Sequence, residues 1–210
     1  MKFMEIYLIR HGRTAANYAH RHQLQKTKLD DLGVKQITNI SEILSKNNPT
    51  HLLSSHLLRA VESARIIGDK CNLVPEIHTD LAELKRPKQL YGNYHGSWKS
   101  VWFYFRWVFN LVSCAETLPD FLERVERVKK LLSCYPNNSR LIVISHAVFI
   151  NFFIAGLCTN NKRLGILRML VVFFRILTIK NSQGVKILYD GKIDGCKWKV
   201  VGRISNKLEK

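Results

Sequence analysis

Acidic side chains are scarce in this chain. Sixteen Asp and Glu stand against 33 Lys and Arg, a formal net charge of +17 over 210 residues. That imbalance favours anionic partners: phosphorylated metabolites, nucleic acid or a membrane surface. The excess is uneven, because residues 159 to 210 hold twelve Lys and Arg and three Asp and Glu. A basic C-terminal face is expected. No zinc-finger, RRM-like or helix-turn-helix pattern accompanies it, so a solvated face is favoured over nucleic-acid binding.

Cysteine is also sparse. Cys71, Cys114, Cys134, Cys158 and Cys196 form an odd, scattered set without C-x-x-C spacing. This argues against a disulfide framework and a zinc site and implies reduced thiols. Six of the eight histidines, His20, His22, His51, His56, His78 and His95, lack ligand-like spacing, so neither metal nor cofactor is expected. No basic leader with a cleavage site precedes the first strand pattern, which implies a cytoplasmic protein. Long apolar runs are missing as well. Arg106 interrupts Ser100 to Ser113, and Arg168 and Arg175 interrupt Leu164 to Ile179. Each piece falls short of the ~20 apolar residues of a spanning helix.

What is present is a 46% hydrophobic chain, long enough for one sizeable core and short for two. One domain over residues 1–210 is expected. Apolar runs bounded by turn residues alternate with helical patterns, which predicts an α/β three-layer sandwich with a mainly parallel sheet flanked by helices. Strands are expected at FMEIYLI (3–9), THLLSS (50–55), PEIHT (75–79) and RLIVIS (140–145). Helices are expected over Leu32 to Leu44, Leu57 to Lys70, Leu118 to Cys134 and from Val148. Beyond Arg168, MLVVFFRILTI, VKILYD and KWKVVGRI read as strands joined by NSQG and DGKIDG turns. The segment Leu81 to Ser97 is irregular, rich in Pro, Gly and Tyr, and of the kind that carries function.

Ligands of open α/β sheets bind outside the carboxyl ends of the strands. The first strand runs into Arg10 and His11, the second leads to Arg59, and RLIVIS runs into His146. Two imidazoles and two guanidinium groups suit a phosphoryl group: the guanidinium forks bind its oxygens and a neutral imidazole attacks phosphorus. Gly12 is expected to allow a sharp turn and a close approach to the ligand.

These residues resemble the histidine phosphatase superfamily, the phosphoglycerate mutase-like family. Its R-H-G-x-T motif is similar to Arg10, His11, Gly12, Arg13 and Thr14, followed by Asn17. Its L-x-x-x-G-x-x-Q segment resembles Leu29 to Gln36, and its S-S-P-L-x-R-A motif resembles SSHLLRA, with His56 in the proline position and Arg59 in place. Glu83 in LAELKRP matches the family's acidic residue, with Arg86-Pro87 following it. AETLPDFLERV resembles the element before the long helix, with Ala115 for glycine, and VISHA supplies His146, with Ala147 where many members have glycine. The resemblance runs in order from residue 3 to about 155.

The resemblance implies a phosphomonoester hydrolase acting through phosphohistidine, with His11 as nucleophile. Arg10, Asn17, Arg59 and His146 would bind the phosphoryl oxygens, and Glu83 would act as acid and base. Glu76, Asp80 and Glu116 compete with Glu83 for that role. Arg86 either binds substrate or pairs with Glu83 or Glu116. Trp98 to Phe109 either shapes the substrate site or packs on the core as a helix. The expected partner is a small phosphorylated substrate. A mutase-type phosphotransferase and a noncatalytic phosphate- or nucleic-acid-binding relative are the alternatives. Family mutases are typically longer, which favours hydrolysis.

Overall fold

A computed structural model describes residues 3–113, 115–158, 179–192 and 194–205. The chain begins with β1 (Met4–Arg10), a one-turn helix α1 (Ala15–Tyr18), and α2 (Asp31–Ser45). Next come β2 (His51–Ser55), α3 (Leu58–Cys71) and β3 (Glu76–His78). Short 3₁₀ turns lead to α4 (Trp98–Val108), followed by α5 (Leu118–Ser133), β4 (Arg140–Ser145) and α6 (Ala147–Ala155). β5 (Gly184–Tyr189) and β6 (Trp198–Ile204) complete the six-stranded sheet, ordered β3-β2-β4-β1-β5-β6. Four strands, β3, β2, β4 and β1, are parallel, and β5 pairs antiparallel with both β1 and β6.

The sandwich expected from the sequence is present. Along β1, Met4, Ile6 and Leu8 enter one core with α4, α5 and α6, while Tyr7 and Ile9 enter the other with α2 and α3. A strand covered on both faces is mostly apolar, which is why FMEIYLI, apart from Glu5, lacks polar alternation. Helix boundaries have local causes. Asp30 caps α2 by accepting from Gly33 N at 2.7 Å, Thr117 caps α5, and Asn72 ends α3 in the left-handed conformation at φ 54°.

Three expectations are corrected, extended or fall elsewhere. Cys158 and Cys196 form a disulfide, so these two thiols are not free. Cys158, three residues past α6, and Cys196, in the turn between β5 and β6, are 38 positions apart, and packing of Trp198 on Phe153 and Tyr189 joins these segments. Linear spacing carries no trace of such a contact. At Gly12 packing also demands glycine: a Cβ there would lie 2.6 Å from Gly33 O and 2.8 Å from Ile37 of α2. The expected strand MLVVFFRILTI lies outside the described residues except for Ile179.

Adjacent strands β4 and β1 are followed by helices on opposite faces: α6 packs in the β1-Leu8 core and α2 in the β1-Ile9 core. The chain therefore leaves a crevice at their carboxyl ends, where doubly wound sheets bind ligands. Among the described residues no helix is long and apolar enough to cross a membrane.

Candidate active site

The crevice is a cavity of about 960 Å³ lined by Arg10, His11, Asn17, Arg59, Glu83 and Arg86, among others. Arg10 pairs in register with Ser145, and His11 N donates to Ser145 O at 3.0 Å. This pairing sets the ends of β1 and β4 side by side. The His11 and His146 rings lie 5.0 Å apart, centroid to centroid, although 135 residues separate them in the chain.

His11 is buried. Its Nδ1 faces Gly12 O at 2.7 Å, so the neutral tautomer that donates there leaves a lone pair on Nε2. Arg59 Nε donates to that Nε2 at 3.2 Å, and Arg59 NH1 donates to Leu24 O at 3.1 Å. Thus Arg59, only 3% exposed, is no solvated residue of a helix first turn. Burial, then Arg59, then Arg10 hold the His11 pKa well below the usual imidazole value. Burial, Arg59 and His11 do the same for His146. Burial lowers Arg59 to about 10 despite the Glu83 charge, so it remains a cation at neutral pH.

Two buried polar atoms here have no partner among the described residues: Arg10 Nε and His146 Nδ1. Arg10 NH1 donates to Ile179 O at 2.7 Å, and His146 Nε2 faces Ser55 Oγ at 2.9 Å. Unpaired buried groups are costly, and an anion is the natural complement of the Arg10 donor. Asn17 caps no helix itself. Its Oδ1 accepts from Thr14 and from Asn181 at 3.0 Å, which leaves Nδ2 as the donor for a ligand.

The segment Leu29 to Gln36 supports the His11 loop. Asp30 pairs with Arg13 at 2.9 Å, Gln36 Oε1 accepts from Arg13 N, and Gly33 admits the Arg13 backbone at a spacing no Cβ would allow. Ser63 Oγ accepts from Gly12 N. Sequence reasoning missed Asn181, which also donates to His11 O and Gly12 O. It sits in a segment legible only as a turn.

The four candidate carboxylates separate cleanly. Glu76 accepts from Tyr135 at 2.9 Å, Asp80 pairs with Arg127, and Glu116 is locked on buried Arg124 at 2.7 Å. Glu83 is the one of the four that lines the cavity, accepting from Leu84 N and from Val148 N at the start of α6. Arg86 pairs with neither Glu83 nor Glu116; it donates to Tyr104 at 2.9 Å and lines the cavity. Burial opposes its charge, but Tyr104 and Glu83 outweigh it and raise its pKa. The segment Trp98 to Phe109 answers both alternatives: Phe103 and Trp107 enter the core, while Val101 and Tyr104 line the cavity.

The sequence profile of the histidine phosphatase superfamily (branch 1) matches residues 6–168. The chain belongs to that superfamily. A probable phosphoglycerate mutase of Yersinia pestis (strain Pestoides F) is 35% identical over 82 residues, 39% of this chain and 38% of that protein. The match thus spans under two-fifths of the relative's length. The alpha-ribazole phosphatase of Shigella flexneri superposes with a TM-score of 0.73 at 23% identity, covering 97% of this chain and 100% of that one. A phosphoglycerate mutase of Bacillus anthracis (strain Sterne) superposes with a TM-score of 0.69 at 19% identity, covering 95% of this chain and 92% of that one. A mycobacterial glucosyl-3-phosphoglycerate phosphatase in complex with VO3 gives 0.70 at 23%, covering 93% and 96%. Phosphatases and mutases alike share this fold.

Proposed function

We propose that this chain is a phosphomonoester hydrolase acting through a phosphohistidine on His11, with residues 1–210 forming one domain. The observation that carries the reading is the His11 imidazole: neutral, fixed at Nδ1 by Gly12 O, with Nε2 in a buried cluster of cations. His11 Nε2 attacks phosphorus while Arg10, Arg59, Asn17 and His146 hold the other oxygens, so charge stabilisation carries most of the catalysis. The P–O bond to the leaving group breaks as protonated Glu83 gives it a proton. Glu83, now a carboxylate, takes a proton from water as that water attacks phosphorus, and the P–N bond breaks to release phosphate. The chemistry needs no metal or cofactor.

The leaving group is a small organic one. Leu32, Tyr94, Val101, Tyr104 and Val148 line the cavity beside the cations, leaving more room than a bare phosphate fills. Turnover of a phosphomonoester panel, with His11→Ala as control, tests the reading. Release of phosphate with an acid-labile phosphoenzyme that the control lacks supports it. Labelling retained in His11→Ala overturns the mechanism. Isomerisation of 3-phosphoglycerate primed with its bisphosphate, without net phosphate release, would assign the site to a mutase instead. Salt-dependent binding of nucleic acid with no hydrolysis of any ester would assign it to a noncatalytic relative.

A further inference from the structure

Helix α4 is apolar on two sides. Ser100, Phe103 and Trp107 face inward. On the other side Trp98, Trp102 and Phe105 are 75%, 48% and 50% exposed, and Val101, Phe109 and Leu111 are exposed beside them. Their spacing is that of one helical face. A contiguous apolar patch of this kind on a chain surface marks a site of association.

The two chain segments beside the patch carry charge of one sign. Residues 84 to 115 carry five Lys and Arg and no Asp or Glu, and residues 11 to 29 carry four and none. These two segments meet at the cavity mouth, where Arg21 bridges Tyr94 backbone to backbone and His95 N donates to His20 O. Tyr94 and Val101 are exposed and also line the cavity. The aromatic face and the mouth are therefore neighbours.

We propose that the exposed face of α4 docks on an anionic lipid bilayer, with Trp98, Trp102 and Phe105 entering the headgroup region and Lys99 and Arg106 meeting the lipid charge. Tryptophan and phenylalanine flanked by cations form the pattern of a helix lying in a membrane interface. A second copy of this chain would bring the same positive charge to the same face. Single-stranded nucleic acid needs free ring faces. Here the rings take up one another: Trp98 and Trp102 stack at 16° with centroids 6.1 Å apart, and Trp102 and Phe105 at 11° and 5.5 Å. Docking in this way presents the cavity mouth to the membrane surface.

The test is cosedimentation of the full chain with phosphatidylcholine vesicles, with and without phosphatidylglycerol. Binding about tenfold stronger to the anionic vesicles, weakened by salt, is expected. A combined Trp98→Ser, Trp102→Ser and Phe105→Ser variant should lose about tenfold in binding, and so should a Lys99→Glu, Arg106→Glu variant. Hydrolysis of soluble para-nitrophenyl phosphate should be unchanged in both, since none of the five residues lines the cavity. Circular dichroism of both variants establishes that they are folded. Absence of binding to anionic vesicles, or binding that survives both sets of substitutions, overturns the proposal. So does a dimer in light scattering that the serine substitutions dissociate, which would make the face a contact between copies. An RNA oligonucleotide that displaces the vesicles would assign the face to nucleic acid.

Discussion

Arg59 Nε donates to His11 Nε2 at 3.2 Å, across 48 residues of chain. The bond rests on the lone pair that would attack phosphorus. On the proposed mechanism an incoming phosphoryl group would take the guanidinium onto its own oxygen, freeing His11 Nε2 in the same movement. Arg59→Ala should therefore lower kcat/KM by about 100-fold or more, roughly 2.7 kcal/mol. Arg59→Lys should restore little, because one ammonium cannot span His11 and Leu24 O together. Steady-state kinetics on an aryl phosphate decides it. A loss below about tenfold places Arg59 outside the phosphate site.

The same contact sets a pH dependence. Protonated His11 has no lone pair, and its depressed pKa keeps it neutral far into acid. Titration of the His11 resonance by NMR should show a midpoint well below 6.5 in the native protein. In Arg59→Gln the midpoint should move up, because one of the two cations that suppress protonation is gone. A native midpoint at or above 6.5 contradicts the assignment of His11 as a neutral resting nucleophile.

Acid should also destabilise the fold. Burial, then Arg86, hold His22 at about 3, and partial desolvation, then Arg86, hold the more exposed His95 at about 4. Unfolded imidazoles bind protons near about 6.5. Between that value and the folded pKa values the unfolded chain binds more protons, so stability is complete above about pH 6.5 and falls as pH drops through the window. Urea midpoints measured from pH 7.5 down to about pH 4 should fall steadily, and His22→Asn should flatten the slope.

Much of this site was legible because strand ends are local. An apolar run that stops in Arg10 and His11, and another that stops in His146, reveal which polar groups emerge at the strand ends before any tertiary contact is known. Arg59 follows the second strand by the same logic. Asn181 was not legible, since its reach to His11 and Gly12 depends on the antiparallel register that sets Gly184 opposite Ile9. Nor was the packing reason for Gly12, which lies in the backbone of another helix. The Cys158–Cys196 pair depends on where β6 lands, and the exposed side of α4 on which of its two apolar faces found the core.

The choice among carboxylates shows the same limit, and it can be tested by stability. Glu116 and Arg124 form a buried pair with side chains 7% and 3% exposed. Glu116→Ala leaves that guanidinium charge uncompensated and should cost about 3–5 kcal/mol in urea unfolding. Glu83→Gln keeps an acceptor oxygen for Leu84 N or Val148 N and should change stability little. Equal losses in the two variants would mean that Glu83 is as structural as Glu116.

Glu83 as proton donor makes a sharper demand on kinetics. An alkoxide leaves poorly without a proton, whereas an activated phenolate needs little help. Glu83→Gln should therefore slow an alkyl phosphate far more than para-nitrophenyl phosphate, by about 100-fold in relative terms. Formation of phosphohistidine must be followed in a single turnover, because Glu83 would also activate the water that releases it. In that measurement binding losses affect both esters alike and cancel in the ratio. Only proton delivery distinguishes them. Equal slowing would remove Glu83 as the acid, and neither Asp80 nor Glu116 could replace it without giving up Arg127 or Arg124. The donor would then have to come from another residue of the cavity or from a water held there.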